Sequence, residues 1–312
     1  MSAALRDQSI AAPVPRWPFD LPEPARLARA ALANYVVDVR TVERVPGGYT
    51  AVFAVRSAAG DRYALRLHVP GARTADEVGL EMAWLAALAA ETEVGAPEPL
   101  VSREGDLLTT VTGLGGESLN ATVVSWLPGG PFADAVTPGQ VERAEELLAS
   151  LHLHAETWDR DGTVGSRLDV VWPFGAPSWL LDPTLAGPLD DAARATIAGT
   201  AARVGVEEAA LYAGPELPRA IHADAHLGNL TVDAGRVRPL DFDDCCRGYP
   251  VQDLAVTLSW LECRAAAIDE SVVGVRECPR RGYRRVRPWP SEGGGRIAPF
   301  VAARLVGGQD TR

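Results

Sequence analysis

The sequence predicts an α+β protein of two lobes, in which a small antiparallel sheet with one helix precedes a larger, mainly helical lobe. Three observations support this fold class. The first 127 residues carry short alternating segments rich in β-branched residues, a pattern typical of half-buried strands. Pro128-Gly129-Gly130-Pro131 then breaks that pattern with turn residues. Beyond it, apolar residues recur with helical spacing over long segments.

The N-terminal lobe is predicted over residues 25–127, after a lead-in over 1–24 that lacks the apolar block of a signal peptide. Its predicted elements are a short helix over 25–35, strands over 36–45, 50–56 and 62–69, a helix that begins at Thr74, and strands over 107–112 and 121–126. Leu80, Trp84, Leu85 and Leu88 share one face of the longer helix. We therefore expect this face to be buried.

The C-terminal lobe is predicted over residues 128–312. Its predicted elements are a long helix over 137–158, an irregular segment over 159–187, a second long helix over 190–212, a β-rich block over 220–242 and a helix over 251–267. Asp233-Ala234-Gly235 separates two short apolar runs in the β-rich block. This spacing predicts a tight hairpin that brings Asn229 and Asp241 to neighbouring strand ends.

The charge of the chain bears on its partners. Its 312 residues include 41 acidic and 30 basic ones, which gives a formal net charge of −11. Nucleic-acid-binding proteins usually carry a basic stripe, and the one basic cluster, residues 280–287, is short. No apolar run is long enough to span a bilayer. We therefore expect a cytoplasmic protein that binds neither nucleic acid nor membrane.

The basic residues limit the chemistry further, because all 30 of them are arginine. A phosphate-binding P-loop of the usual form ends in Gly-Lys-Ser/Thr, so this motif is excluded. Schiff-base catalysis needs a lysine amine and is excluded as well.

The richest cluster of polar side chains lies between His222 and Asp244. His222-Ala-Asp224-Ala-His-Leu-Gly-Asn229 has the spacing His-x-Asp-x-x-x-x-Asn, and Asp241-Phe-Asp-Asp244 follows after the predicted hairpin. Phosphoryl transfer needs a carboxylate that orients the attacking hydroxyl and oxygen ligands that hold magnesium on the phosphates. The spacing is similar to that of the kinase catalytic loop and its metal-binding aspartate.

This block resembles the aminoglycoside-phosphotransferase superfamily, which includes choline, homoserine and fructosamine kinases. The strings at 222–229, 240–244 and 252–255 are most similar to its bacterial stress-response Ser/Thr kinases, and the resemblance spans about residues 30–300. It implies a protein-kinase-like two-lobed fold that transfers the γ-phosphoryl group of ATP to a hydroxyl. By this resemblance Asp224 is the catalytic base, Asn229 and Asp241 hold Mg²⁺, and His222 and Asp253 support the loop.

The resemblance also implies nucleotide-binding residues in the N-terminal lobe. Arg66 stands where kinases of this type carry a lysine on the third strand, and Glu81 stands where its helix partner would be. Gly47 and Gly48 are candidates for the loop that covers the phosphates. Ser125 and Leu127 fall in the segment that resembles the inter-lobe hinge, whose backbone would face the adenine. Arginine keeps the charge of lysine but not its shape.

Two other functions and the acceptor stay open at this point. A metal-dependent hydrolase would use histidines such as His152 and His154 as zinc ligands, although residues two apart on a helix point to different faces. A catalytically weak or inactive kinase fold that serves for binding is the second alternative, because Arg66 stands in place of the usual lysine. The acceptor is a hydroxyl of a small molecule (an aminoglycoside, an amino-alcohol or a sugar-like compound) or of a protein Ser/Thr, and we expect residues 159–187 to shape its pocket.

Overall fold

The structure is a computed structural model, and the described residues are 24–45, 50–68, 73–113, 115–132, 136–158, 190–265, 277–290 and 297–306. The candidate phosphate loop with Gly47 and Gly48, and the segment expected to shape the acceptor pocket, therefore lie outside the described residues. The same holds for most of the predicted lead-in.

A five-stranded antiparallel sheet forms the N-terminal lobe, as predicted. Its strands are β1 (Val39–Arg44), β2 (Ala51–Ser57), β3 (Arg62–Leu67), β4 (Thr109–Thr112) and β5 (Ser118–Ser125), in the order β1-β2-β3-β5-β4. Alternate residues of β2 are buried, because helix α1 (Pro24–Leu32) and the lobe's apolar core cover one face of the sheet. Strand β5 begins earlier than predicted, since Ser118 already pairs with Thr112 of β4.

Helix α2 (Ala75–Glu91) follows the N-cap residue Thr74, where the sequence predicts a helix start. The Thr74 hydroxyl accepts a hydrogen bond from Glu77 N–H, and the Glu77 carboxylate accepts one from Thr74 N–H. This reciprocal capping satisfies two backbone donors that a helix start otherwise leaves unpaired. The predicted apolar face is buried, namely Leu80, Trp84, Leu85 and Leu88.

Helices dominate the C-terminal lobe. They are α3 (Pro138–Trp158), α4 (Asp191–Ala213), α5 (Pro250–Ala265), α6 (Cys278–Tyr283) and α7 (Ala298–Val306). The first three match the predicted helices within two residues at each end, and Asp190 caps α4 by accepting from Ala193 N–H. Helix α6 packs tightly against α3, because Gly282 brings the two backbones together.

The described part of the C-terminal lobe also contains short strands. They are β6 (Gly130–Pro131), β7 (Arg219–Ile221), β8 (Leu230–Asp233), β9 (Arg236–Pro239) and β10 (Cys246–Gly248), paired as β6-β8-β9 and β10-β7. The predicted hairpin forms between β8 and β9. Its turn residues Ala234 and Gly235 have φ of 47° and 79°, and two such values in a row are typical of a type I′ turn.

The two lobes share one apolar core that runs from α2 into the helical lobe. Trp84 of α2 meets Phe242 edge to face, with 5.6 Å between ring centroids. Its indole N–H donates to His154 Nδ1 of α3 at 3.1 Å. Within the described ranges, no helix combines the length and the apolar composition needed to cross a membrane.

Candidate active site

A buried carboxylate fixes the start of the loop that carries the polar cluster. The loop leaves β7 at His222, and Ala223 has a φ of 64°, in the left-handed region. Asp253, fully buried in the first turn of α5, accepts from His222 N–H at 2.9 Å and from Ala223 N–H at 2.6 Å. These bonds offset the strain of the left-handed residue.

Asp253 is itself held by a histidine of α3. His152 Nε2 lies 3.0 Å from Asp253 Oδ2, and His152 Nδ1 lies 2.8 Å from the Tyr283 hydroxyl. Burial alone would raise the pKa of the Asp253 carboxyl, but the hydrogen bonds from His152 and from His222 N–H outweigh it and hold the pKa below its usual range. The carboxylate therefore stays ionised as an acceptor for the loop.

His222 connects the loop to the end of β9. Its Nε2 donates to the Leu240 carbonyl at 2.8 Å, and its ring packs on Phe242 with 4.5 Å between centroids. The His222 side chain is buried, so it packs against other protein groups and is shielded from solvent.

Asp224 and Asn229 lie side by side in the loop. Asn229 Nδ2 donates to Asp224 Oδ2 at 2.7 Å and to the Asp224 carbonyl at 3.0 Å. His226 Nε2 lies 3.6 Å from the same Oδ2. No described side chain or backbone group bonds Asp224 Oδ1, so this oxygen can accept a proton from a bound group.

The His226 ring shapes the turn between these two residues. Its Nδ1 accepts from Gly228 N–H at 2.9 Å, and its face lies parallel to Trp260 with 6.4 Å between centroids. A Cβ atom on Gly228 would lie 2.7 Å from His226 Cε1. The sequence predicts no role for His226, but in the structure its contacts keep the loop compact.

Asp241 reaches the cluster from the other side of the hairpin. Leu240 N–H donates to the Asn229 carbonyl at 2.8 Å, which brings the two strand ends together as the hairpin prediction requires. Asp241 has a φ of 59°, an uncommon left-handed value for a residue with a side chain. Its Oδ1 lies 2.5 Å from Arg66 Nη2 of β3.

Arg66 therefore contacts two carboxylates. Its Nη1 lies 2.5 Å from Glu81 Oε1, and Arg73 Nη1 lies 2.5 Å from the other Glu81 oxygen. Burial by itself would lower the pKa of Arg66, but the carboxylates of Glu81, Asp243 and Asp241 outweigh it and raise the pKa above its usual value. The guanidinium stays charged in this environment.

Arg73 also belongs to this cluster, although the sequence does not predict it. It stands one residue before the N-cap Thr74. Its Nη1 contacts the fully buried Glu81, and its Nη2 donates to the Glu77 carbonyl at 3.0 Å. Nearby, burial and the charges of Arg66 and Arg73 lower the pKa of His68 to about 3. His68 is therefore neutral at physiological pH, and the positive charge resides on the two arginines.

The segment that resembles the inter-lobe hinge ends β5. Ser125 N–H donates to the Glu98 carbonyl at 2.8 Å, and Trp126 N–H donates to the Arg62 carbonyl at 3.0 Å. Leu127 N–H bonds no described residue. Of the two candidate hinge residues, Ser125 and Leu127, Leu127 is thus the one whose backbone donor remains open to a ligand.

The histidines proposed as zinc ligands do not converge. His152 contacts Asp253 and Tyr283, whereas His154 contacts Trp84 and Glu91. Across the described segments, no three or more His, Cys, Asp or Glu side chains are grouped so that they could hold a metal ion.

Comparisons with known proteins identify structures that share this fold. The chain is similar to the microcompartment-associated aminopropanol kinase, with a TM-score of 0.72, 23% identity, and 90% of this chain and 87% of that chain covered. It is also similar to the amicoumacin kinase hAmiN, with a TM-score of 0.75, 16% identity, and 91% of this chain and 84% of that chain covered. A third similar structure is an aminoglycoside phosphotransferase from Streptomyces rimosus, with a TM-score of 0.59, 18% identity, and 93% of this chain and 99% of that chain covered.

These structural likenesses establish a kinase-like fold. A search of the curated proteins finds no significant match. The family model described as the phosphotransferase enzyme family matches residues 41–289, which contain both Arg66 and the loop with Asp224. Because this match covers most of the chain, the chain belongs to the phosphotransferase enzyme family.

Proposed function

We propose that this phosphotransferase transfers the γ-phosphoryl group of ATP to a hydroxyl of a small molecule, with Mg²⁺ as the metal. The observation that carries the proposal is the state of the Asp224 carboxylate. One oxygen is fixed by Asn229, while the other is bonded by no described residue. A carboxylate held in this way can orient an attacking hydroxyl and accept its proton, the task of the base in phosphoryl transfer.

Asn229 and Asp241 are the residues that would hold the magnesium ion. Asn229 uses its amide N–H₂ group on Asp224, which leaves its oxygen free to act as a ligand. Asp241 supplies a carboxylate, and Mg²⁺ prefers such hard oxygen ligands together with phosphate oxygens. The residues present thus fit the ion, which when bound would neutralise charge on the phosphates.

Arg66 and Glu81 would orient the phosphates of the nucleotide. Glu81 is fully buried between two arginines, so the Arg66 guanidinium is held at a fixed point between Glu81 and Asp241. A planar guanidinium can bond two phosphate oxygens at once. Gly47 and Gly48 remain our candidates for the loop above the phosphates, and Ser125 and Leu127 for the adenine side.

The names of the similar structures support both the nucleotide and the acceptor class. The amicoumacin kinase structure contains AMP-PNP, and that of a spectinomycin phosphotransferase contains ADP. The aminopropanol kinase is named for an amino-alcohol. Together with the net charge of −11, this favours an acceptor that carries both a hydroxyl and an amine. A protein Ser/Thr is the less supported acceptor.

A catalytically weak binding protein is the second candidate, and one observation favours it. Arg66 Nη2 lies 2.5 Å from Asp241, so a cation already occupies the carboxylate proposed to hold the metal. Such a protein would bind nucleotide without turning it over. Calorimetry with ATP, combined with a phosphate-transfer assay, separates this candidate from an active kinase.

The test of the main proposal is the variant Asp224→Asn. We expect it to bind ATP with unchanged affinity and to lose transfer by roughly 10²-fold or more, because the base is gone while the loop geometry is kept. The measurement is transfer of labelled phosphate from ATP to a panel of amino-alcohols, aminoglycosides and sugars. Asp191→Asn, the same change in the exposed first turn of α4, is the matched control and should retain full activity.

Two results would contradict the proposal. Transfer by Asp224→Asn at the wild-type rate would remove the base from this residue. A wild-type protein that bound no ATP in the presence of Mg²⁺ would exclude a kinase altogether.

A further inference from the structure

The peptide bond between Ala223 and Asp224 determines the direction in which the Asp224 backbone leaves the turn after β7. Ala223 has a φ of 64°, in the left-handed region, and its side chain is buried in a small apolar cluster with Ile221 and Cys246. A residue with a side chain holds such a conformation only when its surroundings fix it. Because the peptide unit is planar, fixing the Ala223 carbonyl also fixes the start of Asp224.

An arginine of helix α7 contacts this carbonyl. Arg304 Nη2 donates to the Ala223 oxygen at 2.9 Å, across 81 positions of the sequence. Within the described part of the chain, no carboxylate pairs with Arg304 and competes for its guanidinium. A hydrogen bond from a charged donor is stronger than one between neutral groups. The contact therefore ties the catalytic loop firmly to a helix that is distant in sequence.

Helix α7 is anchored in the helical lobe, which gives Arg304 a fixed origin. Phe300 and Ala303 are buried on its inner face, and the helix packs against α4 and α5. Helix α5 also carries Asp253, the carboxylate that accepts from Ala223 N–H. Two helices that pack against each other thus supply the partners of both backbone polar groups of Ala223.

The two partners fix different peptide units. Asp253 Oδ1 accepts from Ala223 N–H at 2.6 Å and so holds the peptide that precedes Ala223. The peptide that follows Ala223 has two polar groups, the Ala223 carbonyl and Asp224 N–H. Asp224 N–H bonds no described residue. Among the described groups, the bond from Arg304 is therefore the one that fixes this peptide.

The rest of the loop is held by other donors. The Asp224 carbonyl, in the peptide after Asp224, accepts from Asn229 Nδ2 at 3.0 Å and from His226 N–H at 2.8 Å. Both donors belong to the loop itself. Thr257 of α5 donates to the next carbonyl at 2.6 Å. Arg304 is thus the donor from outside the loop that acts directly before Asp224.

We propose that Arg304 is a positioning residue for phosphoryl transfer, which directs the Asp224 carboxylate toward the attacking hydroxyl by fixing the Ala223 carbonyl. Without this bond the peptide between Ala223 and Asp224 can rotate, and the carboxylate points away from the hydroxyl for part of the time. A misplacement of about 1 Å can cost roughly 10²-fold in rate. The effect on transfer rests on the proposed function of Asp224, whereas the fixing of the loop does not.

The first experiment observes the loop without any substrate. Arg304→Met keeps a flexible apolar stem and removes the donors. Hydrogen exchange of the peptide that spans residues 222–229 should be roughly tenfold faster in this variant than in wild type, as expected for the loss of one hydrogen bond from a charged donor. Arg203→Met is the matched control, because Arg203 is exposed on α4 and bonds no described residue. It should exchange as wild type does.

The second experiment tests the consequence for catalysis. The kcat of phosphate transfer should fall roughly 10²-fold in Arg304→Met, while KM for ATP stays within about twofold, because the contact with Ala223 lies in the helical lobe and Arg66 is unchanged. Arg203→Met should keep the wild-type values of both.

Chemical rescue separates positioning from a general effect on structure. Arg304→Ala leaves the space of the missing side chain, in which methylguanidinium can donate to the Ala223 carbonyl. Its kcat should rise with the concentration of methylguanidinium until the site is saturated, in the millimolar range, which is far below the molar range that unfolds proteins. Wild type and Arg203→Ala should not respond.

Three results would overturn the proposal. They are equal loop exchange in wild type and Arg304→Met, an unchanged kcat in Arg304→Met, and a lowered kcat in Arg304→Ala that methylguanidinium does not raise. If wild type transfers no phosphate to any acceptor, the proposed function fails, and the exchange experiment still decides whether Arg304 fixes the loop.

Discussion

At the scale of single residues, Arg66 connects two carboxylates that belong to different lobes. One nitrogen contacts Glu81 of α2, and another contacts Asp241 beyond the hairpin. Lysine carries a single ammonium group, so it cannot span two partners in this fixed planar geometry. The arginine thus provides a direct competitor for any metal ion that uses Asp241.

The variant Arg66→Met should bind divalent metal more tightly when no nucleotide is present. Removal of the guanidinium takes this competing cation away from Asp241, and we expect roughly a tenfold gain in Mn²⁺ affinity, about 1.4 kcal/mol, measured by the paramagnetic resonance of free Mn²⁺. Arg73→Met is the matched control, because Arg73 contacts Glu81 but not Asp241. Equal Mn²⁺ affinity in wild type and Arg66→Met would show that the ion pair does not compete with metal.

The sequence predicts which residues of the site come together only when those residues belong to one local motif. His222, Asp224 and Asn229 lie in one loop of fixed spacing, and the hairpin adds Asp241. Arg73 escapes prediction because its partner is the second oxygen of Glu81, a contact that depends on how α2 packs on the sheet. An arginine directly before a helix cap is the only signal of it in the sequence.

At the scale of elements, the β8–β9 hairpin and helix α6 show opposite degrees of predictability. The hairpin follows from a turn motif flanked by short apolar runs, and it forms where expected. Residues 280–287 appear in the sequence merely as a basic cluster. Helix α6 lies there because Arg281 and Arg285 pair with Glu142 of α3 and because Gly282 permits close packing of the two helices. These contacts join elements that are distant in sequence.

The substitution Gly282→Ala should destabilise the protein by about 1–3 kcal/mol, the usual range for overpacking. An added Cβ would lie 2.1 Å from the Glu142 carbonyl oxygen and 2.7 Å from its Cα, so helix α6 would have to move away from α3. Urea unfolding measures the effect. Gly199→Ala in the exposed face of α4, where a Cβ meets nothing within 4 Å, should instead stabilise by about 0.4–1 kcal/mol.

If both glycine variants shift the urea midpoint in the same direction, close packing between α3 and α6 is not what requires Gly282. The comparison is informative because both substitutions add one methyl group within a helix and differ chiefly in the space around it.

At the scale of the whole molecule, pH changes the free energy of unfolding through a buried acid, Glu145, and a buried base, His68. Burial raises the pKa of Glu145 to about 8 from 4.5, so the folded protein keeps a proton that the unfolded chain has lost. This contribution to stability is complete below pH 4.5 and is lost as the pH rises to about 8. His68, with a pKa of about 3 against 6.5, acts in the opposite sense: its contribution is lost as the pH falls from 6.5 toward 3.

We therefore expect wild type to lose up to about 1.4 kcal/mol of unfolding free energy per pH unit between pH 6.5 and 8 relative to Glu145→Gln. Urea unfolding of both proteins across this range provides the measurement. Parallel stability curves would mean that Glu145 has the same proton affinity in the folded and unfolded states.

Trp84 gives the molecule a built-in optical reporter of how its lobes sit on each other. Its indole belongs to α2, yet it donates to His154 of the helical lobe and touches Phe242, the residue next to Asp241. Fluorescence of an indole responds to changes in the polarity and hydrogen bonding around it. The difference in emission between wild type and Trp84→Phe would therefore record movement of α2 against the hairpin in real time, without an attached dye.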